Sequence, residues 1–266
     1  MKSCRPRRSA ESSSSSSSAS SRESDMETYL WITSVWGIYL TAVVFFGGMA
    51  WRIYQWATTP KSPVRLGMFP KPKSGAGRFG KLLADTFIAP QSAKIEPTMW
   101  IFAMAFHVAA LGAFVGHLRL IREFPLLPAW LGEAGMNTFA AWSGSIAGTL
   151  MLVGVLFWIA RRTFGPYKNL SVPEDYLLLF LLLGVIVMGD HMRFVYGGVV
   201  HAATYREWFV SLLTFKPEIP AELLASNVGV SLGTHMLFTD LLLMYFPFSK
   251  LVHAIGAFSS NLVRSE

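Results

Sequence analysis

The chain of 266 residues holds one cysteine, Cys4. A single thiol excludes an internal disulfide, an iron–sulfur cluster held by this chain alone, and a Cys-x-x-Cys-His attachment site. Charge is also scarce: Asp, Glu, Lys and Arg make up 15% of the residues, against 52% apolar ones. The balance of that charge is +7, which on a soluble domain would suggest nucleic acid. Here the basic residues flank apolar runs of about 20 residues, the pattern of membrane helices with positive inner loops, so no nucleic-acid partner is expected.

The first 25 residues carry an unbroken serine run from Ser12 to Ser18. They cannot bury enough apolar surface to fold and have no signal-peptide core. Residues 1–25 are therefore expected to be a disordered tail and residues 26–266 the membrane domain. Lys2, Arg5, Arg7, Arg8 and Arg22 would put positive charge outside, so Met26 is the expected native start.

Five apolar segments follow. The first runs from about Tyr29 to Tyr54, with Trp31 and Trp51 near its ends. A long basic loop follows, with Lys61, Arg65, Lys71, Lys73, Arg78, Lys81 and Lys94. Within it Phe79, Leu82, Leu83, Thr86 and Phe87 are spaced for a short amphipathic helix, suited to lipid headgroups or a partner surface. The second span covers about Met99 to Leu120, then a loop with Pro125 and Pro128. The third covers about Met136 to Ile159, where Gly144 and Gly148 suit close helix packing. The fourth starts near Tyr176, and a mixed loop of about Tyr196 to Asn227 leads to the fifth, about Val228 to Phe248. This last helix is expected to continue, kinked or weakened by Pro247, toward His253. From Arg52 onward thirteen Lys and Arg fall on one side and five on the other, which favours an all-α fold of five transmembrane helices, N-out and C-in.

Four histidines sit on the second and last of these helices. His107 and His117 are ten residues apart, and His235 and His253 eighteen. On straight helices those spacings rise about 15 and 27 Å, and eighteen residues make five full turns. Antiparallel helices would pair His117 with His235 at the outer level and His107 with His253 at the inner one. Each pair can hold one iron from both sides, so two stacked haems fit between helices two and five. The unequal rises require tilt or a break. A lone membrane histidine is more often hydrogen-bonded to a neighbour; the consistent pairing of four favours ligation.

Asp190-His191-Met192-Arg193 lies late in the fourth helix. Ionisable groups at that depth suggest a function, and Asp190 or His191 could take protons from a quinol. A helix-capping ion pair is the plainer reading. Arg119 and Arg193 are candidates for haem propionates. His201 reads as a loop histidine, and Trp142 and Trp158 as packing or interface residues.

The paired histidine spacings, Phe106-His107, Gly116-His117 and the ending Phe246-Pro247-Phe248-Ser249-Lys250-Leu251-Val252-His253 resemble the gamma subunit family of respiratory nitrate reductase, di-haem membrane cytochromes b. The likeness covers most of Met99 to His253. His117-Leu118-Arg119, the basic inner loop and Met192-Arg193 look more like its sulfite-reduction-associated branch, the Dsr complex M subunit, and the heterodisulfide-reductase-type cytochromes b. The resemblance implies two haems b, with His107 and His253 on the inner iron and His117 and His235 on the outer one. It implies an electron-transfer subunit of an oxidoreductase in the inner membrane, linking quinone, menaquinone by default, to a cytoplasmic iron–sulfur subunit, with further membrane or periplasmic subunits of the same complex beside it. A haem-free membrane anchor and a proton-relaying transporter are the alternatives.

Overall fold

The computed structural model describes residues 21, 24–60, 74–123, 125–197, 202–224 and 226–265. Most of the expected tail, Lys61, Arg65, Lys71, Lys73 and His201 lie outside the described residues. Five helices are long and apolar enough to cross a membrane: α1 (Ser24–Thr58), then the spans Pro97–Leu120, Leu127–Phe164, Pro173–Val195 and Asn227–Phe248. The chain is thus a multi-pass membrane protein.

Between α1 and the second span lie α2 (Gly75–Leu83) and α3 (Pro90–Ile95). Ser74 caps α2 by accepting the Gly77 N–H at 3.1 Å. The amphipathic stretch is helical, but it does not lie bare. Leu82 is buried, Phe79 and Phe87 stay exposed, and the C-terminal helix packs on it, with Asn261 donating to Thr86 at 3.2 Å.

The second span is α4 (Pro97–His117), closed by a 3-10 turn Leu118–Leu120. Pro97 opens it, where a missing N–H costs nothing. The third is α5 (Leu126–Phe164), longer than expected at 39 residues. Pro128 belongs to its first turn rather than to a loop, for the same reason. The helix is broken at Gly132, φ 68° and ψ 171°, a conformation almost closed to other residues. Then come α6 (Pro173–Val195), α7 (Ala202–Leu213), α8 (Ala221–Leu224) and α9 (Ser226–Tyr245).

The end of the chain departs most from expectation. The last span does not run on to His253. Phe246–Phe248 form a 3-10 turn, Ser249 is extended (φ −105°, ψ 177°), and Lys250–Val252 form a second turn. His253 then starts a separate helix, α10 (His253–Ser265). Pro247 removes a backbone donor and Ser249 replaces helical bonding by accepting the Leu251 N–H at 3.1 Å. The rise of 27 Å and the five-turn alignment therefore do not apply.

The spans pack as an open arc: α4 on α5, α5 on α6, α6 on α9, and α9 on α1. Phe102 stacks on Phe157 at 4.0 Å, and Phe106 meets Trp158 at 4.9 Å, fastening α4 to α5. Val155, Leu179 and Ile186 form the buried centre of α5 and α6. Leu30, Val35, Trp208, Leu212, Leu223, Val228 and Leu232 form a second core, through which α7 and α8 cover one end of α1 and α9. Large apolar side chains such as Phe46, Phe114 and Phe180 remain outside, as lipid requires.

Ion pairs gather where α4 begins and α5 ends. Arg161 pairs with Glu96 at 2.6 Å and lies over the Tyr167 ring, 3.7 Å from its centroid; the Tyr167 hydroxyl donates to Glu96. That hydrogen bond holds the Glu96 carboxyl below its usual range, with Arg161 adding to it, and raises the Tyr167 hydroxyl.

Candidate functional site

Each of the four histidines offers the same face of its ring. Nδ1 of His107 meets the Ala103 carbonyl at 2.7 Å, and Nδ1 of His117 the Ala113 carbonyl at 2.7 Å. Nδ1 of His235 meets the Val185 carbonyl of α6 at 3.0 Å, and Nδ1 of His253 the Lys250 carbonyl at 2.8 Å. A carbonyl only accepts, so Nδ1 carries the hydrogen in all four. Nε2 is then left with a lone pair, the state in which imidazole binds a metal. Such a carbonyl bond is also the usual outer support of a metal-bound histidine.

The structure brings His107 and His253 together. Their ring centroids are 6.0 Å apart and their planes are crossed at 80°. Two metal–nitrogen bonds of about 2 Å plus half of each ring add up to roughly that separation. His117 is a near neighbour of His235. Gly189 makes room for the His235 ring: a Cβ there would stand 3.3 Å from its Cε1. Along α4, a Cβ at Gly112 or Gly116 would meet nothing within 4 Å. α4 and α9, which carry three of the four histidines, are not packed against one another. Imidazoles with supported Nδ1 atoms and open space beside α4 are a donor set of the kind a haem iron takes. Among the described residues there is no cluster of three or more His, Cys, Asp or Glu for a bare metal ion.

The other sequence candidates are placed as follows. Asp190 points at Gly148, and its Oδ2 is buried with no hydrogen-bond partner. Arg193 lies over Gly144, where a Cβ would come within 3.0 Å of its guanidinium. The small-residue pair on α5 thus admits ionisable side chains as well as a helix. His191 Nδ1 meets Ser231 Oγ at 3.0 Å and its ring is edge-on to Tyr196. Arg119 pairs with Glu123 at 2.7 Å, and Arg206 of α7 binds the same carboxylate and donates to the Arg119 carbonyl at 2.9 Å. Burial raises the Glu123 carboxyl, but the two arginines outweigh it and leave it below its usual range.

Sequence reading missed three acids. Asp240 of α9 is 4% exposed and accepts the Thr41 hydroxyl at 3.0 Å, with Gly37 leaving room for it. Asp175 is equally buried and binds Arg162 at 2.9 Å and Lys250 at 2.5 Å. Glu123 joins Arg119, four residues before it, to Arg206, 83 residues after it. A lone acid in an apolar run was the available signal for Asp240; Lys250 at Asp175 and Arg206 at Glu123 come from distant segments.

The family profile described as nitrate reductase gamma subunit matches residues 92–265. The "Hdr-like menaquinol oxidoreductase cytochrome b-like subunit" of Archaeoglobus fulgidus is 28% identical, over 84% of this chain and 76% of that relative. Its namesake from Archaeoglobus profundus is 29% identical over 61% of this chain, and only about half of that relative, 48%, is spanned. The "Respiratory nitrate reductase 1 gamma chain" of Escherichia coli is 28% identical, over 56% of this chain and 67% of the relative. With the family's profile covering more than half of its length, all four histidines included, this chain belongs to the nitrate reductase gamma subunit family.

Proposed function

We propose that the protein is the membrane cytochrome b subunit of a quinol-oxidising complex. It passes electrons from quinol to a cytoplasmic iron–sulfur subunit, in the N-out, C-in orientation. The names of its relatives support menaquinol as the donor and the heterodisulfide-reductase-type branch. The observation that carries the reading is the shared state of the four histidines, with Nδ1 bound to a carbonyl and Nε2 free.

His107 and His253 would hold the inner haem b, and His117 and His235 the outer one. Bound there, the haems supply one-electron redox chemistry that no side chain of this protein can. The backbone carbonyls fix the ring tautomers, so no proton has to move when a ligand nitrogen engages. Arg119 and Arg193 are the cations proposed to face the propionates, although Arg119 already shares Glu123. Quinol oxidation releases two electrons and two protons. The free Oδ2 of Asp190 is a suitable acceptor for one hydroxyl hydrogen, and His191, steadied by Ser231, for the other.

The test is a dithionite-reduced minus oxidised spectrum with a pyridine haemochrome count. It is run on the wild type and on His107→Ala, His117→Ala, His235→Ala and His253→Ala. Two haems b in the wild type and one altered or lost in each variant is the expected result. A protein without haem would leave the membrane-anchor reading in its place.

A further inference from the structure

We propose that Asp175 is a positioning residue for His253, acting through Lys250. The proposal rests on the reading of His253 as a haem ligand and adds how that ligand is aimed.

His253 has no long helix behind it. It is the first residue of α10, reached through the extended Ser249 and the turn Lys250–Val252. Its ring is oriented by the Lys250 carbonyl, 2.8 Å from Nδ1. The direction of that carbonyl depends on what holds Lys250. Its Nζ binds Asp175 Oδ1 at 2.5 Å. Lys250 is 57% exposed on its side chain, whereas Asp175 is 4% exposed, so the fixed partner is the carboxylate. Asp175 is itself anchored at the start of α6. Its Oδ2 accepts from Arg162 at 2.9 Å and from the Val172 N–H at 3.2 Å. Arg52 of α1 donates to the Pro247 carbonyl at 3.1 Å and steadies the other side of the break. The chain of support runs from α5 and α6 through Asp175 and Lys250 to the ligand. Nothing comparable holds His107 and His117, whose carbonyl partners lie in their own helix.

Outer partners of a metal-bound histidine set its ring orientation and basicity. Freeing Lys250 should therefore alter the haem held by His253 and leave the other as it was. The experiment compares full-length wild type, Asp175→Asn, Lys250→Met, His253→Ala and His235→Ala in solubilised membranes. The readouts are the low-spin haem signals in electron paramagnetic resonance, which report ligand-ring orientation, and a redox titration of each haem. His253→Ala and His235→Ala identify which signal belongs to which site. In both Asp175→Asn and Lys250→Met, the signal of the His253 haem is expected to shift or broaden in the same way, while the His235 haem keeps its signal. Loss of a charge alone would instead move the potentials in opposite directions, since one variant removes a negative and the other a positive group, and would leave ring orientation alone. That pattern, or unchanged signals in both variants, overturns the proposal. If Asp175→Asn does not assemble, Lys250→Met decides alone: a changed ring-orientation signal at the His253 haem supports the proposal and an unchanged one overturns it. If His253→Ala keeps both haems, the ligand reading itself fails.

Discussion

Asp190 is the side chain on which the proposed proton chemistry turns. Its Oδ2 is buried without a partner, an arrangement that proteins avoid unless something else meets it. Asp190→Asn is expected to lower quinol-dependent reduction of the haems by about 100-fold, the lower end of general acid–base contributions. Reduction by dithionite should be unchanged, and stopped-flow absorbance in the haem band separates the two. Glu96 carries a different expectation. Its pKa is lowered in the folded chain by Tyr167 and Arg161, so its contribution is present above the ordinary carboxylate range and disappears as pH falls through the lowered value. A Glu96→Gln variant should melt below the wild type at pH 6, and the gap should close as the buffer is taken to about pH 4 and under. Thermal melts at several pH values check this.

Among the elements, α5 shows what glycine does in this fold. Gly148 faces Asp190 and Gly144 faces Arg193, so any side chain there pushes an ionisable group aside. Gly148→Leu should reproduce the kinetic defect of Asp190→Asn with both haems still present; an unaltered rate would detach Asp190 from the chemistry. Gly132 bends the start of the same helix at a positive φ. Gly132→Ala is expected to cost about 1–3 kcal/mol, seen as a lower midpoint in detergent melts. At the α1–α9 contact, Thr41→Val would strip Asp240 of its hydrogen bond and cost about 1–3 kcal/mol. The elements also show where sequence reading holds. Five apolar runs of the right length specify five spans because lipid forces each to satisfy its own backbone. Pro247 announced a disturbance but not its form. Whether a proline kinks a helix or ends it depends on what takes up the freed backbone groups, here the Ser249 hydroxyl and Arg52. The Asp175 and Glu123 networks were invisible in full for a similar reason: Lys250 and Arg206 arrive only when the helices pack.

Taken whole, the molecule is an arc of five spans, with His107 beside His253. Its orientation can be read directly. With Cys4→Ser as background, single cysteines at Lys216 and at Lys168 can be probed with an impermeant maleimide in intact cells. Labelling at Lys216 and protection at Lys168 is expected; the reverse would invert the topology. The arrangement of the ligands has a mechanical side too. Three histidines ride on membrane helices, while His253 stands beyond the extended Ser249, at the head of a helix that leans on α2. Ser249 is thus a keyed joint between two shafts, buried and held by its own hydrogen bonds. A load applied at the α2–α10 surface meets His253 before it meets α9.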